Sequence, residues 1–280
     1  MKFISISVTS WNRKEMTEYC IHSILKNTPR EKFELIVVDN QSTDGAIPML
    51  RKMHHDGLID KLYINQQDTL LGTAINMAWR EADPRAEWLM SVSNDYFVMS
   101  NWFDNLNHVI KDLNLEYALA HWLIGGYKPG LRQVMSTSSG GRYLKRRKTD
   151  NILFGGSLCL RKDIYEKYNI HFPENTVNSP YSVLLKQLQV MGLRGAELAK
   201  PCTLTQDCRF NDPRYREYYK NIHNRRRRSG EDRYLPIEAF TGGYTPFVKE
   251  YYEGTNYLNE KIWDGKVPFA REYEEGTLVR

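Results

Sequence analysis

Three short polar clusters stand out because each closes an apolar run and two of them carry carboxylates. Thr9-Ser10-Trp11-Asn12-Arg13 ends the run that begins at Phe3. Asp39-Asn40-Gln41-Ser42-Thr43-Asp44-Gly45 follows Phe33–Val38, and Ser93-Asn94-Asp95-Tyr96 follows Trp88–Val92. One such cluster alone is ordinary cap chemistry for the next helix. Three together, at the carboxyl ends of the first, second and fourth strands, describe a ligand site, because open α/β sheets bind ligands beyond the carboxyl ends of their strands. Gly72 and Asn76 open a further helical stretch. A glycine there admits close backbone approach, and a helix N-terminus offers N–H groups to an anion. The same glycine equally suits packing of a helix on a sheet.

The elements that position these clusters alternate. Phe3–Thr9, Phe33–Val38, Lys61–Ile64, Trp88–Val92 and Glu116–Ala120 read as strands, with helical stretches at about 13–27, 43–54, 72–82 and 100–113 between them. Phe33–Val38 is nearly continuous in apolar residues, as in a parallel strand buried on both faces. Met16, Cys20, Ile24 and Asn27 share one stripe of the first helix, which stops at Thr28-Pro29. Ser42-Thr43-Asp44 supplies N-cap chemistry for the second. This order predicts an α/β fold, an open and mostly parallel sheet with helices on both faces. Residues 122–151, rich in Gly, Ser and Arg, read as a long loop. Ile152–Leu160 reads as a strand, 181–191 as a helix ending at Gly192, and 195–199 as a short strand.

The chain has 280 residues, 41% hydrophobic and 26% charged, which excludes a fibrous or disordered protein. No run of eighteen apolar residues is present, so no bilayer-spanning helix is expected. The first residues alternate like a strand rather than a signal peptide, so a soluble cytoplasmic protein is the expectation. Cys20, Cys159, Cys202 and Cys208 lie far apart, without zinc-site or disulfide-framework spacing, and read as reduced structural thiols. The net charge of +5 is concentrated: Arg142, Lys145, Arg146, Arg147 and Lys148 form one block, and Arg225, Arg226, Arg227 and Arg228 another.

The ordered set Ser7-Val8-Thr9-Ser10-Trp11-Asn12-Arg13, Val37–Gly45, Gly72-Thr73-Ala74-Ile75-Asn76 and Ser93-Asn94-Asp95, followed by Trp102, resembles family 2 glycosyltransferases of the GT-A fold. The resemblance covers residues 3–115 well and 150–200 loosely. It implies a Rossmann-like sheet with a donor-binding half over 1–121 and an acceptor-side half over 122–200. An aromatic- and Arg-rich extension, 201–280, would follow. It implies a UDP-sugar donor contacted by Thr9, Trp11, Arg13, Asp39, Gly72, Asn76 and Asn94, with Asp39 accepting the uracil ring N–H. Ser93-Asn94-Asp95 takes the place of the family's D-x-D motif, so Asp95 would ligate Mn²⁺ or Mg²⁺, with His223 as a candidate further ligand. The first acid of that motif is Ser93 here.

Relatives carry an acidic base just before the helix that ends near Gly192. Val177-Asn178-Ser179-Pro180-Tyr181-Ser182-Val183-Leu184 contains no carboxylate. Three readings follow: Glu174 in Phe172-Pro173-Glu174 is the base; another acid such as Asp150 or Asp207 reaches in; or configuration is retained and no such base is needed.

Arg146, Arg147 and Arg225–Arg228, with Tyr215, Tyr218 and Tyr219 interspersed near the second block, point to a polyanionic acceptor. Its sharpest version is hydroxymethylated DNA, in the setting of a viral DNA-modifying enzyme. A cell-surface polysaccharide or lipid-linked glycan acceptor is the alternative, as is a degenerate nucleotide- or DNA-binding protein without catalysis. A nucleotidyltransferase would need a glycine-rich loop after the first strand, and a dinucleotide oxidoreductase G-x-G-x-x-G; Thr9–Arg13 has no glycine.

Overall fold

The computed structural model describes residues 3–98, 102–119, 134–144, 157–174, 180–198 and 203–205. The first half runs β1 (Ile4–Ser10), α1 (Lys14–Asn27), β2 (Phe33–Asp39), α2 (Ala46–His55), β3 (Lys61–Ile64), α3 (Leu70–Arg80) and β4 (Trp88–Ser93). β5 (Tyr96–Val98), α4 (Trp102–Leu113) and β6 (Tyr117–Leu119) follow. Beyond them lie β7 (Val134–Ser136), β8 (Arg142–Leu144), β9 (Ser157–Arg161), α5 (Lys162–Lys167), α6 (Pro180–Val190), β10 (Gly195–Leu198) and β11 (Thr203–Thr205).

Nine strands form one mixed sheet in the order β3-β2-β1-β4-β9-β6-β10-β8-β7. β3, β2, β1 and β4 are mutually parallel, β9 runs antiparallel between β4 and β6, and β10 is again parallel to β6. The sheet is continuous across residue 121, so strands from both halves of the expected division share one core.

The alternation in β1 assigns its faces. Ile4, Ile6 and Val8 join Leu35 and Val37 under α1, α2 and α4. On the other face, Ile36 and Val38 meet Ala74 and Ala78 of α3. The small Ser5 and Ser7 of β1 let that helix lie close. Farther along the same face, α5 and α6 bury Ile164, Tyr165, Tyr181, Leu184, Leu185 and Leu188 against Leu89, Leu158 and Leu160.

Within 122–151, the described residues 134–144 differ from the reading as a loop. β7 and β8 pair in an antiparallel hairpin that extends the sheet edge. The turn from Thr137 to Gly141 closes through Thr137 N–H to the Gly141 carbonyl at 2.7 Å, with Gly140 at φ +85°. Asp112 of α4 steadies this turn by accepting the Ser139 N–H at 2.8 Å and the Ser138 and Ser139 hydroxyls. Short strands separated by Ser and Gly carry little periodicity, which is why the sequence hides them. Within Ile152–Leu160, the described part is a strand beginning at Ser157, with 152–156 outside the described residues. Cys20 and Cys159 are buried free thiols, and burial pushes the Cys20 thiol far up. Cys202 and Cys208 lie outside the described residues. No helix among the described residues is long and apolar enough to cross a membrane.

Candidate functional site

Strand register brings the three clusters level. Ser10 pairs with Asp39 across β1–β2, and Thr9 pairs with Ser93 across β1–β4. The chain therefore leaves all three strands at one rim, and side-chain bonds tie the turns together there.

Asp39 is fully buried. Its Oδ1 accepts the Ser42 backbone N–H at 2.8 Å and its Oδ2 the Ser42 hydroxyl at 2.6 Å. Ser42 Oγ in turn accepts the Asn12 N–H at 2.7 Å, while Asn12 Oδ1 accepts the Thr43 N–H at 2.8 Å. The carboxylate thus holds the 40–44 turn against the turn after β1. Each oxygen keeps a second lone pair. Asp44 caps two helices at once, accepting Lys14 N–H of α1 at 2.6 Å and Ala46 N–H of α2 at 3.1 Å. The expected cap chemistry of Ser42-Thr43-Asp44 is thus carried by Asp44.

Asn12 and Arg13 both stand in the left-handed region, at φ 54° and 58°. Such residues cost on the order of 1–3 kcal/mol each and persist only where surrounding contacts over-determine them. Here the contacts are the Ser42 and Thr43 bonds and a buried ion pair. Arg13 Nη1 donates to Asp95 Oδ2 at 3.0 Å, and Nη2 donates to Asn94 Oδ1 at 2.6 Å. Asn94 is fixed from behind, its Nδ2 donating to Thr17 Oγ1 at 2.8 Å and to the Asn12 carbonyl at 3.3 Å. Thr9 is buried and Trp11 half-buried beside this network.

The Asp95 Oδ1 atom is buried and accepts no hydrogen bond. An open carboxylate oxygen at this rim fits a hard divalent cation. No group of three or more His, Cys, Asp or Glu able to hold a metal occurs among the described residues. The described residues therefore supply one carboxylate, and the remaining oxygen ligands would have to come from elsewhere. β5 follows Asp95 directly and pairs with β11, Thr205 opposite Tyr96.

Gly72 and Asn76 form a seat on α3. A Cβ at Gly72 would stand 2.0 Å from the Pro173 carbonyl oxygen. Asn76, fully buried, accepts the Phe172 N–H at 2.8 Å through Oδ1. Its Nδ2 donates to the Phe172 carbonyl at 2.9 Å and to Glu174 Oε1 at 3.1 Å. The backbone that this glycine admits is Pro173, and the Asn76 amide bonds the same segment. Packing, the other reading of Gly72, accounts for its contact. The arrangement holds Glu174, an exposed carboxylate, at the first turns of α3.

Tyr181, in the stretch where relatives carry a base, is fully buried; burial pushes its hydroxyl up to about 12, with the Asp95 charge adding to the shift. It is no base near neutral pH. Asp150, Asp207, His223, Arg146, Arg147 and Arg225–Arg228 lie outside the described residues. Ser42, Asp44 and Thr17 join the turns without a sequence signal of their own: Ser42 and Asp44 carry only a generic capping signal, and Thr17 lies within α1.

TarS from S. aureus superposes with a TM-score of 0.60 at 16% identity, over 85% of this chain and 41% of its own. TarS 1–349 in complex with UDP-GlcNAc gives 0.57 at 15% identity, over 85% and 69%. The mannosyltransferase PcManGT from Pyrobaculum calidifontis, in complex with GDP-Man and Mn²⁺, gives 0.55 at 14% identity, over 90% and 79%. The chain thus spans about two-fifths of full TarS, and at these identities the likeness shows the GT-A fold. No curated protein matches the chain in sequence. The model of glycosyl transferase family 2 matches residues 5–168, more than half of the chain, and the protein belongs to that family.

Proposed function

We propose that the chain transfers a sugar from a UDP-sugar to an acceptor hydroxyl with the help of Mn²⁺ or Mg²⁺. The observation that carries this reading is the bonded rim of Asp39, Asn12, Arg13, Asn94 and Asp95 at the carboxyl ends of β1, β2 and β4, where open α/β sheets bind ligands. Thr9, Trp11 and Asp39 would flank the nucleoside, and Asp95 would hold the cation. Such a cation would stabilise the charge that gathers on the departing diphosphate.

Glu174 is the base of this reading. Its carboxylate takes the proton of the acceptor hydroxyl while the acceptor oxygen bonds to the anomeric carbon and the bond to UDP breaks. Support comes from the Gly72–Asn76 seat, which fixes a carboxylate at the head of α3. Asp207 is the alternative acid, and His223 a candidate further metal ligand. The acceptor is polyanionic, bound by Arg146, Arg147 and Arg225–Arg228, with hydroxymethylated DNA as the specific candidate. Only the two arginine blocks support that last step.

The test is turnover of UDP-sugars with Mn²⁺, alongside UDP binding by calorimetry. Glu174→Gln is expected to keep UDP affinity and lose transfer by about 10²–10⁴-fold. Unchanged transfer by Glu174→Gln removes the base assignment. No turnover with any donor, together with measurable UDP binding, favours the degenerate binding protein. Loss of duplex binding with rising salt, and loss of acceptor use on replacing Arg225–Arg228 by Ala, are required of the DNA acceptor.

A further inference from the structure

We infer that Arg13 is the resident counter-ion of Asp95, and that it makes cation binding at Asp95 depend on a bound nucleoside diphosphate. This rests on the metal-assisted donor reading above and adds an order of binding to it.

A carboxylate at this depth needs a partner when no cation is present, because an unpaired buried charge is strongly unfavourable. Asp95 is only 9% exposed, and position 93, where a second acid would stand, is Ser93. The partner is built into the fold. Arg13 is 8% exposed, and its guanidinium spans Asp95 Oδ2 at 3.0 Å and Asn94 Oδ1 at 2.6 Å. Its guanidinium is held at both ends, since Asn94 is itself anchored to Thr17 and Asn12. A guanidinium keeps its proton at any working pH.

The consequence is electrostatic. A divalent cation arriving at Asp95 Oδ1 meets a carboxylate already neutralised through Oδ2, with a fixed positive charge a few ångströms away. Cation affinity follows the negative charge of the ligand set, and here the Arg13–Asp95 pair sums to zero. A nucleoside diphosphate brings the missing negative charge and further oxygen ligands. The pair then changes office: Asp95 holds the cation by Oδ1, while the guanidinium adds to the positive field facing the diphosphate.

Manganese binding, read by electron paramagnetic resonance with and without UDP and corrected for manganese bound to UDP in buffer, tests this without any turnover. The wild-type protein is expected to bind Mn²⁺ at least about 10-fold more tightly with UDP than without it, as a coupling of this kind requires. Arg13→Gln, checked for a cooperative thermal transition, is expected to bind Mn²⁺ alone at least about 10-fold more tightly than wild type, because like-charge repulsion is removed. Arg13→Lys keeps the charge and is expected to follow wild type. Equal wild-type affinity with and without UDP overturns the inference. So does a folded Arg13→Gln that binds Mn²⁺ alone no better than wild type, or an Arg13→Lys that binds it as tightly as Arg13→Gln is expected to. If Arg13→Gln does not fold, the wild-type and Arg13→Lys results decide. Asp95→Asn separates the two levels: Mn²⁺–UDP binding unaffected by Asp95→Asn removes the metal reading itself.

Discussion

Replacing Gly72 with alanine sets two physical effects of opposite sign against each other. In an unobstructed helix interior, Gly→Ala stabilises by about 1 kcal/mol. At the head of α3 the new Cβ would stand 2.0 Å from the Pro173 carbonyl oxygen, whereas ordinary contact begins at 3.4 Å. The Phe172–Glu174 segment must therefore retreat by 3.4 − 2.0 = 1.4 Å, or α3 must shift by as much. The Asn76 bonds to Phe172, at 2.8 and 2.9 Å, do not survive a displacement of that size in good geometry. Buried polar groups left without partners cost about 1–3 kcal/mol each, and overpacking about 1–3 kcal/mol. With one such group lost and the helix-propensity gain subtracted, a net loss of about 1–5 kcal/mol is expected. Asn76→Ala breaks the same seat from the other side, and the double variant is expected to cost less than the sum of the two. If Glu174 is the base, its displacement lowers transfer by on the order of 10²-fold while UDP affinity holds. Urea unfolding, initial transfer rates at saturating donor and UDP calorimetry measure the three quantities. A Gly72→Ala protein that is stabilised by about 1 kcal/mol, with transfer unchanged, refutes the reasoning.

Asp44→Ala removes the acceptor shared by the first turns of α1 and α2. A loss of about 1–2 kcal/mol in thermal or urea unfolding is expected, and unchanged stability shows that solvent replaces both caps. Acid unfolding gives a further test. The Arg85 guanidinium holds Asp83 down at about 2, and the Ser139 N–H with neighbouring hydroxyls holds Asp112 down at about 2, against an ordinary 3.8. Both values are depressed in the folded state, so their stabilisation is complete above about pH 4 and is lost as pH falls toward 2. The Asp83→Asn/Asp112→Asn double variant is expected to flatten the fall in stability across that window; an unchanged slope removes these two groups as its cause.

The first half of the chain was legible because its signals repeat. β1, β2 and β4 are short apolar runs that each end in polar residues, and a parallel sheet with level register turns that repetition into a common rim. The hairpin of β7 and β8, the short strands β5 and β11 and the helix α5 were not legible. Each has at most six residues, too few for a period to show, and the hairpin is held by the Asp112 contact from α4, far away in sequence. Asn76 shows what a local signal leaves unseen. Its type and place suited a ligand contact, yet its amide is bonded to Phe172 and Glu174, 96 and 98 positions away.

By itself the sequence determined the alternating order of strands and helices, the carboxylates at the strand ends and the absence of an acid over 177–184. These follow from local chemistry: apolar periodicity, cap residues and the identity of single side chains. Only the tertiary structure decided what the clusters do to one another. Register sets Asp39, Ser10, Thr9 and Ser93 level. Burial gives Asp95 a fixed cation in Arg13 and leaves its other oxygen open. The close approach of Pro173 to Gly72 holds Glu174 beside Asn76 on α3. Each of these joins residues between 29 and 101 positions apart, a separation across which no sequence period carries information and where packing and charge pairing in three dimensions decide.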